Sequence, residues 1–109
     1  MSITREEAKK FENKYFSIDV GESLQLVITA WKIEDRSFNN KPPTPKLIMQ
    51  VVSCDGQPVN KEWETGNRKL IDQLLPMMFS AQEHQKGSIV VLAMQPKQNE
   101  FHITKLGEA

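Results

Sequence analysis

From Arg36 to Ser53 the chain holds Arg36, Lys41 and Lys46 and no acidic residue. Phe38 stands among these cations on a polar stretch. An aromatic face beside ammonium and guanidinium groups is the chemistry that binds single-stranded nucleic acid. The ring stacks on a base and the cations track the phosphates. The competing reading folds Phe38 back onto the core and leaves the lysines as solvated surface. Trp31, next to Lys32, reads either as a second stacking platform or as a cap on one end of the fold. Trp63 stands between Glu62 and Glu64, so it reads as core, lid or groove. Lys61, Arg68 and Lys69 cluster around a helix start, where cations oppose the helix dipole. Nearby phosphates would relieve that repulsion, and so would simple solvation. Lys97, on the last turn, is a further candidate backbone contact.

Catalytic chemistry finds little support. Cys54 has no histidine near it in sequence and precedes a turn, which suits an inert thiol. His84 and His102 are far apart, with no cysteine or carboxylate at metal-ligand spacing. There is no phosphate loop and no nucleophile elbow. The expectation is a non-enzymatic protein without metal or cofactor.

The 109 residues suffice for one domain, and 14 lysines and arginines balance 14 aspartates and glutamates. That counts against a binder that works by bulk positive charge but leaves room for a local basic groove. A single cysteine allows no internal disulfide. The charged N-terminus does not read as a signal peptide, and no apolar run approaches membrane-spanning length. These features predict a cytoplasmic protein without membrane contact.

The elements that must position these side chains follow from periodicity and turn chemistry. Residues 1–15 form an N-terminal helical extension: Thr4 and Glu7 make a capping box, and Ala8, Phe11 and Tyr15 make one stripe. The domain proper spans 16–109. A lead-in ends at Gly21. Leu24 to Ile33 is rich in β-branched residues and reads as a long first strand. A loop with Pro42, Pro43 and Pro45 follows. Leu47–Ser53 and Val59–Thr65 form a hairpin around Asp55-Gly56, with a slightly long connection. Asn67 caps a helix whose apolar face is Leu70, Ile71, Leu74, Leu75 and Met78, and Pro76 ends or kinks it near Leu75. Ser88–Met94 and Glu100–Leu106 make a last hairpin about Pro96-Lys97-Gln98-Asn99.

Strand, strand, strand, helix, strand, strand is the order of a closed five-stranded OB-fold barrel, with the helix between strands three and four. A doubly wound sheet needs alternating helices, and an immunoglobulin-like sandwich needs about seven strands. A ferredoxin-like fold is second, lacking its first crossover helix. Three stretches carry a resemblance: Gly21-Glu22-Ser23-Leu24, Lys61 through Leu70, and Lys86-Gly87-Ser88-Ile89-Val90. Over roughly residues 16–106 the chain resembles small prokaryotic, archaeal or phage single-stranded DNA-binding OB-fold proteins. Many of those have a Gly-x-Gly step and an aromatic in the last hairpin, where this chain has Gln95-Pro96-Lys97-Gln98-Asn99. The resemblance implies sequence-tolerant binding of single-stranded DNA and partners in replication or repair. A protein-interaction module is the alternative, since fold is not function. Homodimerisation through a strand edge or the N-terminal helix stays open.

Overall fold

The computed structural model describes residues 15–37 and 39–109. The expected N-terminal helix, apart from Tyr15, and the candidate Phe38 lie outside the described residues. Five strands and one helix follow: β1 Ser23–Arg36, β2 Thr44–Cys54, β3 Gln57–Thr65, α1 Arg68–Glu83, β4 Ser88–Lys97 and β5 Glu100–Glu108. The strands form one antiparallel sheet in the order β3-β2-β1-β4-β5. Alternate residues Leu47, Met49, Val51 and Trp63 face a core completed by Leu26, Ile28, Ile89, Val91 and the buried stripe of α1.

β1 works because it changes partners along its length. Its first half pairs with both β2 and β4, and Lys32–Arg36 pairs with β2 alone. The change happens at a bulge between Thr29 and Lys32, where Ala30 takes φ 51°. One extra residue in the left-handed region bends a strand sharply and increases its twist. The Asp55-Gly56 turn is tighter than expected. Cys54 pairs directly with Gln57, and both turn residues have positive φ (50° and 80°), as a two-residue type I′ hairpin requires. β2 begins earlier than expected, at Thr44, and so includes Pro45. Pairing with β3 starts only at Leu47, so Pro45 has a free edge on which its missing N–H costs nothing.

The expected barrel is not closed, because β3 and β5 share no ladder. Each of their outer edges has another partner. Along β5, the Gln73 carboxamide donates to the Phe101 carbonyl (2.7 Å) and accepts from the Ile103 amide (2.9 Å), replacing two rungs of a strand. Along β3, the Phe16 amide donates to the Glu62 carbonyl (2.7 Å), and Tyr15 forms a parallel bridge with Glu62. From there the lead-in crosses beneath the core to β4. Gly21 donates to the Gln95 carbonyl, and the buried Gln95 side chain donates to the Ile18 carbonyl. The lead-in thereby ties β3 to β4, with Phe16 and Ile18 buried.

α1 starts where the sequence places it, with Asn67 Oδ1 accepting from the Leu70 amide (3.2 Å). It does not end near Leu75 but continues to Glu83 with Pro76 inside. Pro76 is exposed, so the carbonyl it leaves without a helical partner can be solvated. The burial of Met78 and Ala81 holds the last turns. The helix packs on β5 and β4.

The C-terminal ends of α1 and β5 are joined by Glu108. It accepts from Ser80 Oγ (2.8 Å), meets His84 Nδ1 (2.8 Å) and is ion-paired with Lys105. Hydrogen bonds from Lys105, His84 and Ser80 pull its carboxyl down to about 2, from an ordinary 4.5. A depressed carboxyl stabilises the fold above its unfolded pKa and ceases to do so as pH falls through the folded one. Stability should therefore decline between pH 4.5 and about 2. In Glu108→Gln that part of the acid limb should flatten, as measured by urea unfolding across this range. An unchanged limb would show that Glu108 is not the group responsible.

Candidate nucleic-acid interface

Three of the sequence candidates meet in one place. Arg36, Lys41 and Lys46 line a cleft of about 580 Å³ together with Thr44, Glu64 and Tyr15, which is 46% exposed. The cleft lies between the β1–β2 loop and the outer edge of β3. Lys41 comes from the loop, and Lys46 from the first paired residues of β2, opposite Glu34. Tyr15 arrives because its neighbour Phe16 is buried and hydrogen-bonded to β3. Tyr15 is the aromatic that sequence reasoning missed. It was read as part of an N-terminal helix stripe, and no local pattern says that the lead-in returns to β3.

The charges in the cleft are not all free. On the outer face of the sheet, Arg36 reaches across β2 to Glu64 (2.9 Å) and Glu62 (3.5 Å), with Glu34 at 3.7 Å. Partial burial works against the Arg36 charge, but Glu64, Glu34 and Glu62 outweigh it and raise the guanidinium above its ordinary pKa. Lys32 is tied to Glu34 (3.0 Å), and its hydrogen bond and charge hold the Glu34 carboxyl below the usual range. Lys41 and Lys46 make no ion pair among the described residues. The cationic surface thus rests on these two lysines.

The remaining candidates lie elsewhere. Trp31 sits in the β1 bulge, half-buried against the core, and its Nε1 donates to Gln82 Oε1 of α1 (2.7 Å). It caps the core beside the helix rather than lining the cleft. Trp63 is 4% exposed and packs edge-on against Phe16, ring centroids 5.2 Å apart, so it offers no face for stacking. Lys61 is half-buried opposite Val51, and Lys97 is exposed at the end of β4. Arg68 is paired with Asp72 (3.0 Å) on the first turn of α1, beyond Gly66 from the cleft.

Burial, aided by Asp55 and Glu22, raises the Cys54 thiol above its ordinary pKa despite Lys61, so it stays protonated. Ser80 Oγ accepts from Lys105 Nζ (3.2 Å) and donates to Glu108, and Lys105 is ion-paired with the same carboxylate. Among the described residues no group of three or more His, Cys, Asp or Glu could hold a metal, and no helix is long and apolar enough to cross a membrane.

No family model, curated protein or solved structure matches the chain.

Proposed function

We propose that this protein binds single-stranded nucleic acid without catalysis and with little sequence preference, through the cleft beside the β1–β2 loop. The sheet order and helix position agree with an open form of the OB arrangement, in which that loop forms a wall of the binding face. The observation that carries the reading is an exposed Tyr15 ring beside Lys41, Lys46 and Arg36 in a single cleft. A base stacks on the ring, and the lysine ammonium groups meet the flanking phosphates. With two or three cations engaged, affinity is modest and sensitive to salt. Binding of an oligo-dT of about a dozen nucleotides should weaken about tenfold between about 50 and 200 mM salt. Tyr15→Ala should cost about 1 kcal/mol of binding at low salt, and Tyr15→Phe almost nothing. Fluorescence anisotropy of labelled oligo-dT measures both. Salt-independent binding, or an unaffected Tyr15→Ala, would sink the reading.

A protein-interaction module is the second reading. Glu62 and Glu64 support it, since they take up the Arg36 charge and would repel phosphate. A variant-insensitive failure to bind any oligonucleotide would favour it.

A further inference from the structure

α1 leans over β4 and β5, and on its other side a second groove of about 430 Å³ opens towards β1 and β2. Its surface is mainly apolar. Ile71 and Leu75, one turn apart on α1, face Leu47 and Pro45 of β2, and Ile33 of β1 forms the lip at 61% exposure. Ile71 and Leu75 are only half-buried, so the apolar stripe of the helix is not fully covered by its own fold. Two cations, Lys46 and Arg68, line the same groove, and among the described residues no acidic one does. This contrasts with the cleft next door, where Glu64 shares the lining. Thr44 and Lys46 border both spaces. The Lys46 ammonium lies so close over Gly66 that a Cβ there would meet it at 2.5 Å.

We propose that this groove docks a short segment of a partner protein in which apolar side chains adjoin aspartate or glutamate. The apolar residues would fill the space between Ile33, Ile71 and Leu75, and the carboxylates would meet Lys46 and Arg68. The chemistry follows from complementarity. An apolar trough whose lining carries two cations disfavours basic segments and leaves purely polar ones without burial, although Asp72 and Asp35 stand just outside that lining. Arg68 keeps Asp72 as a neighbour, but its side chain is 86% exposed and free to turn towards a better-placed carboxylate. This site is distinct from the nucleic-acid cleft, sharing Thr44 and Lys46 but neither Ile33 nor Arg68.

The probe is a fluorescein-labelled peptide of sequence Asp-Asp-Leu-Leu-Phe, with Lys-Lys-Leu-Leu-Phe and Asp-Asp-Ser-Ser-Ser as controls, titrated with the full chain. The acidic apolar peptide should bind saturably and about tenfold or more tighter than either control. Ile33→Asp, at an exposed position where folding is not at stake, should weaken it about tenfold, and Arg68→Glu should weaken it several-fold at low salt. Methyl resonances of Ile33, Ile71 and Leu75 should shift on titration. Oligo-dT binding should be unchanged by Ile33→Asp, which separates this site from the cleft. No saturable binding, equal binding of the three peptides, or indifference to Ile33→Asp would overturn the proposal. So would an Ile33→Asp variant that loses oligo-dT and keeps the peptide, since the groove would then belong to the nucleic-acid path.

Discussion

Trp63→Ala will lower the unfolding free energy by about 3–5 kcal/mol, the range for removing a large buried aromatic. Trp63 is buried on the inner face of β3, directly opposite Met49, with Phe16 packed edge-on against it. The loss has two parts. One is the transfer and cavity term of the indole itself. The other is the lead-in, because Phe16 is the residue by which residues 15–22 are held to β3. Trp63→Phe should be much milder, since a ring remains for Phe16 to pack on. Urea unfolding followed by circular dichroism gives both values. The same pair decides what Trp63 is for. If it is core, Trp63→Phe binds oligo-dT as the parent does. A stacking role would show as lost affinity in a variant whose midpoint scarcely moves.

Trp63 also shows what a sequence can and cannot reveal. Its alternation with Glu62 and Glu64 says that it faces away from them, but not which face is inside. Only the register against β2 settles that, by setting Trp63 beside Met49 and Glu64 beside Ile48. Features that depend on local chemistry were legible. Asp55-Gly56 makes its turn, Asn67 makes its cap, and the helix lies between the third and fourth strands. Each depends on the conformational preferences of a few adjacent residues.

What was not legible depends on distant partners. Nothing near Ala30 announces a bulge, since a glycine would be the expected sign and alanine occupies the position. Pro76 breaks a helix in isolation, but Met78 and Ala81 are buried beyond it and tertiary packing prevails. The open edge of β5 depends on Gln73, 28 and 30 residues from the backbone groups it satisfies. At the candidate site the same limit shows. The basic stretch from Arg36 to Lys46 was legible as a run without acids. The acids that answer Arg36 are on β3, 26 and 28 residues further along, and only the sheet brings them back.

Those two acids give the binding proposal its sharpest test, because their removal should improve the protein. In a Glu62→Gln/Glu64→Gln double variant, oligo-dT affinity at about 50 mM salt should rise tenfold or more. A carboxylate about 6 Å from a phosphate opposes it by roughly 3 kcal/mol at an effective dielectric constant near 20, before salt screening reduces the figure. A factor of ten needs only about 1.4 kcal/mol. The variant also releases the Arg36 guanidinium into the cleft, where it can take a phosphate bidentately. With one more contact, the slope of log affinity against log salt should steepen by about 0.7. Stability should change little, because these partly exposed ion pairs are worth at most about 1 kcal/mol each. Adding Arg36→Ala separates the two causes. If guanidinium release matters, the slope returns to its parental value while part of the gain from lost repulsion remains. An affinity that does not move when both acids are neutralised would mean that phosphates never pass through this cleft, whatever else the protein binds.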